Sequence, residues 1–227
     1  MNPAFPIASG KVVRPKSLTD IAVDMIRTTI VEGRLRMGEQ ISESVLALNL
    51  GISKTPVREA LFQLKLQGLV DVHPQRGTFV FQPSEDDVRE ICHFRETIEC
   101  AALATAMEHS RQQLSAALDE VLAAIAVVEN SGDYGAIPGL DARFHEAIVA
   151  GAHSHYLSTA YGLISYKIQA LRARLPEHDP AVDDCGHNHE LIVAEIRTGS
   201  AARAQKKLRE HIRSTQASYI AASKNRD

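Results

Sequence analysis

Apolar residues recur at three- and four-residue intervals along most of this chain, and the intervals break at glycine and proline. Leu18, Ile21, Ala22, Met25, Ile26 and Ile30 form one such stripe. It predicts a helix that begins near Leu18 with this stripe as its buried face and is ended by Gly33. A short second helix is expected at about 42–50, followed by a sharp turn at Gly51. A third is expected from about 55 to 67. Thr55 would cap it, Pro56 would take the first helical position, where a missing N–H costs nothing, and Val57, Leu61 and Leu64 would face inward. From residue 69 the pattern changes to that of strands. Segments 69–72 and 78–81 flank the turn His73-Pro74-Gln75-Arg76-Gly77. Three short helices and a β-hairpin make a winged helix-turn-helix, here over residues 17–82.

After Pro83 the pattern is helical to the end. Ser84 followed by Asp87 is a capping-box start. Six helices are expected, at 84–109, 111–130, 133–151, 154–175, 181–198 and 200–223, with breaks at Ser131-Gly132, Gly151, Pro176 to Pro180 and Gly199. The fold class is therefore mostly α: a winged helix-turn-helix in front, and behind it an antiparallel all-α bundle over residues 84–223. Residues 1–16 mix Pro, Gly and basic residues without periodicity and are expected to be a disordered basic arm.

Composition adds little until the chain is divided. It holds 227 residues, 44% hydrophobic and 23% charged, with net charge −3. Residues 1–81 carry ten Lys/Arg against seven Asp/Glu, a net +3, and the remainder carries fifteen against twenty-one, a net −6. A basic front and an acidic back suit a DNA-binding module attached to something else. No apolar run approaches the ~18 residues of a membrane span. The start Met-Asn-Pro-Ala-Phe-Pro lacks the features of a signal peptide. Cys92, Cys100 and Cys185 match no metal or redox spacing, and the expected location is the reducing cytoplasm.

Two places carry candidate chemistry. Lys54 and Arg58 lie at the start of the third helix, where a cation opposes the helix dipole and serves better against a polyanion such as DNA. With Val57, Leu61 and Leu64 inward, the outer face offers Lys54, Thr55 and Arg58. Arg58 has the fork that reads guanine, and Lys54 and Thr55 suit phosphates or single base edges. Arg76 at the hairpin tip and Ser44 at the start of the second helix are further candidates for the duplex. The second place is in the bundle. Asp141 and His145 are one helical turn apart. His189 and His211 lie ten residues before Gly199 and eleven after Ser200, so an antiparallel hairpin sets them at one height. Three imidazoles and a carboxylate suit a divalent ion, Zn²⁺ first, with Ni²⁺ or Mn²⁺ as alternatives. Accidental spacing among ten histidines is the competing reading of these residues. Arg95 stands on an otherwise apolar stripe. It needs either Glu99 as a partner or the carboxylate of a bound acid, and Arg172 is a second such candidate.

The segments Gly38-Glu-Gln-Ile-Ser-Glu-Ser-Val-Leu-Ala47, Gly51-Ile-Ser-Lys-Thr-Pro-Val-Arg-Glu-Ala-Leu61 and Gly68-Leu-Val70, with Arg76-Gly77, resemble the N-terminal domain of GntR-family bacterial regulators. Members often carry Arg where this chain has Lys54, which keeps the cation and loses the planar fork. Residues of about 84–222 resemble the FCD domain of the FadR subfamily, in its six-helix VanR-like branch. The matching pieces are Arg95-Glu-Thr-Ile-Glu99, Asp141-x-x-Phe-His145, His189 with the Gly199 turn, and Arg209-Glu-His211-Ile. The resemblance implies a homodimer on a short pseudo-palindromic operator, a metal held by Asp141, His145, His189 and His211, and a small organic acid as effector at a site dedicated to regulation. A metalloenzyme with an appended DNA-binding domain, and a purely structural metal, are the rival readings. No His-Glu-x-x-His motif supports the first.

Overall fold

The computed structural model describes residues 15–132, 134–176, 179, 182 and 184–224. The expected arm falls outside these residues except for positions 15 and 16. Lys16 contacts the Asp24 carboxylate at 2.7 Å, on the surface.

The front unit contains α1 (Leu18–Val31), β1 (Gln40–Ile41), α2 (Glu43–Leu50), α3 (Lys54–Leu66), β2 (Val70–His73) and β3 (Gly77–Val80). The expected hairpin is present, shifted by one residue, and β1 adds an edge that two residues could not announce. The sheet order is β1-β3-β2, antiparallel throughout. Ser17 caps α1 through a capping box with Asp20, and Ser42 caps α2. Gly51 has φ +66 and closes α2 in the left-handed region that favours glycine.

Two expectations fail here. The cap position of α3 is Ser53, not Thr55, because Lys54 is already helical, and Pro56 becomes the third helical residue. Proline is still tolerated there, since the first turn has no carbonyl to pair with its N–H. The stripe on α1 is also divided. Ala22, Val23, Ile26 and Ile30 are buried against α3, whereas Leu18, Ile21 and Met25 are exposed. The helical period is as expected, but the packed face is rotated toward Val23.

The rear unit is a bundle of α4 (Glu85–His109), α5 (Arg111–Ser131), α6 (Ile137–Gly151, preceded by a 3₁₀ turn), α7 (His155–Arg172), α8 (Cys185–Thr198) and α9 (Ala201–Lys224). Ser84 caps α4 in the expected box with Asp87. The core runs through Leu103, Leu114, Leu118, Ile125, Phe144, Ile148, Ile192, Val193, Ile196, Leu208 and Ile212. Cys92, Cys100 and Cys185 are buried free thiols. Gly199 (φ +83) makes the tight turn that lays α9 antiparallel to α8. Among the described residues, no helix is long and apolar enough to cross a membrane.

Helix α7 belongs to both units. Its Ala170 lies in the front core, Tyr166 stacks under the Arg27 guanidinium at 4.5 Å, and Arg174, just past its end, donates to the carbonyls of Ile30 (3.2 Å) and Leu35 (2.8 Å). Charged hydrogen bonds of this kind contribute about 1.5–3 kcal/mol. Arg174→Met should therefore raise amide exchange over residues 30–37 by about tenfold or more while the bundle keeps its protection. Unchanged exchange there would show that Arg174 does not hold the units together.

Candidate metal centre and DNA-facing surface

Helix α3 packs on Val57, Ala60, Leu61 and Leu64, and this leaves Lys54, Thr55 and Arg58 exposed along its outer side. Ser44, in the first turn of α2, and Arg76, at the hairpin tip, are exposed as well. Arg58 is not alone: its Nε meets the Glu43 carboxylate at 2.6 Å, with the arginine side chain 64% exposed. Such a surface pair contributes little and exchanges readily for a stronger anion. The pair also pre-orients the guanidinium across the α2–α3 turn, a link that the sequence spacing did not reveal.

In the bundle, α6 supplies Asp141 and His145, α8 supplies His189 and α9 supplies His211. One ligand atom from each lies within 4.8 Å of all the others, and all four residues are buried. The donors converge by name. His145 Nε2 is 3.1 Å from His211 Nε2, and Asp141 Oδ1 is 3.0 Å from His189 Nε2 and 3.3 Å from His145 Nε2. The α8–α9 hairpin sets the two histidines at one height: the His189 and His211 rings have centroids 4.8 Å apart. Phe144 stacks flat on His189 at 3.8 Å and fixes its plane.

Around these four stands a second layer. Glu99 on α4 accepts from His145 Nδ1 at 2.6 Å and from Arg95 Nε at 2.7 Å, with Arg95, Glu99 and His145 all fully buried. This fixes the tautomer that turns His145 Nε2 toward Asp141 and His211. Arg172, the last residue of α7, pairs with Asp141 Oδ2 and leaves Oδ1 for the centre. Burial opposes both carboxylate charges. Even so, Arg95 and His145 hold Glu99 down at about 2, and Arg172 and His145 hold Asp141 well below the usual range. Burial pushes His189 down to about 4 and His211 well down, so both imidazoles are neutral near pH 7, the form that binds metal.

The family models match both units. The gntR family of bacterial regulatory proteins matches residues 18–80, and the FCD domain matches residues 90–214, more than half of the chain. This chain belongs to the GntR family of transcriptional regulators with an FCD domain. It is similar to a Paenarthrobacter nicotinovorans protein named "Probable D-xylose utilization operon transcriptional repressor", 29% identical over 88% of this chain and 86% of that one. It is also similar to the gluconate operon transcriptional repressor of Bacillus licheniformis, 26% identical over 76% and 73% of the two chains. Among solved structures, E. coli McbR/YncC superposes with a TM-score of 0.78 at 25% identity, covering 91% of this chain and 99% of that one. A GntR regulator from Rhodococcus sp. RHA1 gives 0.77 at 21% over the same shares.

In this GntR regulator the four bundle residues expected from spacing and resemblance fit a divalent ion on grounds of their own. Asp141 Oδ1 and His189 Nε2, 3.0 Å apart, are buried and make no well-aligned hydrogen bond to each other or to another described group, which is costly unless something else fills the role. Of the two effector candidates, Arg95 has the partner that competed for it, Glu99, and yet its Nη1 and Nη2 stay unpaired. Arg172 faces Asp141, and none of its three nitrogens makes a well-formed hydrogen bond. His153, His155 and His187 are exposed, outside the centre, and Glu146 and Glu190 are exposed on other helix faces. Sequence reasoning missed that Glu99 orients His145 and that Phe144 stacks on His189. The aromatic residue next to His145 was the available signal for the second, and the first had none, because it depends on how α4 lies against α6.

Orienting partners of metal-ligating histidines are typically worth 10–100-fold in affinity. Glu99→Gln should weaken Zn²⁺ binding by about that factor in a competition titration with a fluorescent chelator. Binding as tight as in the unaltered protein would remove Glu99 from the centre.

Proposed function

We propose that this regulator is a cytoplasmic homodimeric repressor. Its winged domains bind a pseudo-palindromic operator, and its bundle senses a small organic acid at a divalent ion, Zn²⁺ first, held by Asp141, His145, His189 and His211. The observation that carries the sensing part is the set of unpaired polar atoms at the bundle centre. Among the described residues, His211 Nδ1, the Tyr219 hydroxyl, and Nη1 and Nη2 of Arg95 and of Arg172 are buried there without partners, and Asp141 Oδ1 and His189 Nε2, 3.0 Å apart, make no well-aligned hydrogen bond. Orphaned donors and acceptors of this number are expected around a ligand rather than in a finished core. A divalent ion with four protein ligands supplies open positions that carboxylate oxygens fill. The repressors of D-xylose and gluconate operons among the relatives support the direction of control.

On the DNA side, Arg58 reads a base edge in the major groove, Lys54, Thr55 and Ser44 hold phosphates, and Arg76 reaches the flanking backbone or minor groove. The dimer reading is supported by an apolar strip on the bundle. Tyr156 (85% exposed) and Leu163 (64%), seven residues apart, share one outward face of α7.

The link between sensing and DNA lies in α7. Arg172 faces the metal centre, and Arg174, two residues on, holds the backbone at the end of α1. A ligand at the centre changes DNA affinity only by preferring one placement of that helix end over another. Fluorescence anisotropy of the metal-loaded full chain on DNA from its own promoter region tests the proposal. The right acid should weaken binding about 5- to 150-fold, the usual range of allosteric coupling, and light scattering should give the mass of a dimer. A sugar-acid, dicarboxylate and aromatic-acid panel that leaves DNA affinity untouched would end the sensing reading. A monomer mass would end the dimer.

A further inference from the structure

The charges at the bundle centre balance only without an ion. Arg95 and Arg172 contribute two positive charges, Glu99 and Asp141 two negative, and the three histidines are neutral in the form that ligates. All seven side chains are buried. A divalent ion therefore adds two uncompensated positive charges to a water-poor interior, an arrangement that costs several kcal/mol per charge unless paired. The hydrogen-bond count is lopsided in the same direction. Among the described residues four guanidinium nitrogens, Nη1 and Nη2 of Arg95 and of Arg172, are unpaired, and every one is a donor only. One carboxylate has two oxygens. It neutralises half of the excess charge and leaves one arginine unserved.

The space available is small. The cavity bordered by Asp141, Arg172, Thr215 and Tyr219 holds about 10 Å³, room for roughly one water. Its wall residues Pro138, Leu175 and Val182 also line a cleft of about 760 Å³ between α1 and helices α6 and α7. A ligand reaching the centre from that cleft has to part this thin wall, which favours a short molecule.

Building on the acid-sensing reading, we infer that the effector is a short dicarboxylate, with one carboxylate taken by Arg172 and the other by the free edge of the Arg95 guanidinium. A monocarboxylate of the same skeleton leaves a net positive charge and the Arg95 edge exposed to nothing.

The test is calorimetric titration of the Zn²⁺-loaded full chain with dicarboxylates of three to six carbons. The tightest of these is then compared with its own monoamide and with the monocarboxylate of equal length. One lost charge-assisted contact is worth about 1.5–3 kcal/mol, so the dicarboxylate should bind about 10- to 150-fold more tightly than either. Arg95→Lys keeps the charge that Glu99 needs and removes the fork. It should reduce that ratio to within about threefold while metal content stays at the unaltered level. Monoamide and dicarboxylate binding equally well would overturn the dianion while leaving acid sensing intact. A full ratio in Arg95→Lys would overturn the second anchor. If neither mono- nor dicarboxylates bind, acid sensing falls together with this inference.

Discussion

Replacing His189 by alanine is expected to empty the metal centre. Four-ligand zinc sites hold their ion with about 10–16 kcal/mol, so the loss of one ligand removes on the order of a quarter of that, or about two to three orders of magnitude in affinity. After dialysis against a weak chelator, elemental analysis should find less than about a tenth of an ion per chain in His189→Ala, against about one in the unaltered protein. The acid response should vanish with the ion, while DNA binding in the absence of acid persists, because the winged domain has its own core around Val23, Ile26, Val57 and Leu64. The variant also loses the stack of Phe144 on His189, so some loss of thermal stability is expected besides. Full metal content in His189→Ala would show that the ligand set is wrong. His189 is the sharpest place to ask, because its Nε2 lies among the converging donors, 3.0 Å from Asp141 Oδ1, and its ring is fully buried.

The second large effect is expected at Arg58. Its side chain is exposed at the start of α3 and steadied by Glu43. A bidentate arginine on guanine is worth about 1–3 kcal/mol of discrimination. Arg58→Ala should therefore reduce the preference for the operator over unrelated DNA by about 5- to 150-fold with the fold unaltered, since this side chain is 64% exposed. Lys54→Ala is the contrast within the same helix. It should weaken binding to all sequences alike and lower the salt dependence by about one counterion. Anisotropy titrations on specific and scrambled duplexes at several salt concentrations separate the two. An Arg58→Ala protein that still prefers its operator at full strength would place base reading elsewhere on α3. Glu43→Gln offers a further view of the pair. If Glu43 only pre-orients the arginine, its removal should leave specificity in place and change affinity by less than about threefold, in line with an exposed ion pair.

Most of the architecture was written in periodicity and punctuation. The three- and four-residue repeats with their breaks at Gly51, Gly132 and Gly199 delimited the helices. Ser84 with Asp87 marked the start of the bundle, and the alternation near residues 69–81 marked the hairpin. These are local matters, decided by backbone preference within a turn or two, so one-dimensional reading reaches them. The equal distances of His189 and His211 from the Gly199 turn belong to the same class, because an antiparallel hairpin converts sequence separation into height.

What the sequence did not settle was which side of each element would be covered. Leu18, Ile21 and Met25 continue the apolar repeat of α1 and yet face out, because α3 and α7 approach from the Val23 side. Arg95 and Glu99 could be read as a pair from their four-residue step. That Glu99 would also reach His145, 46 residues away, depends on how α4 lies against α6. The same holds for Arg172 meeting Asp141 and for Arg174 holding the turn after α1, both placed by the seating of α7. The chain by itself determined the elements and the donor chemistry, because those follow from neighbouring residues and side-chain type. Only the tertiary structure decided the wiring among the donors and the link to the winged domain, because long-range packing fixes rotation and depth, and neither leaves a trace in spacing along the chain.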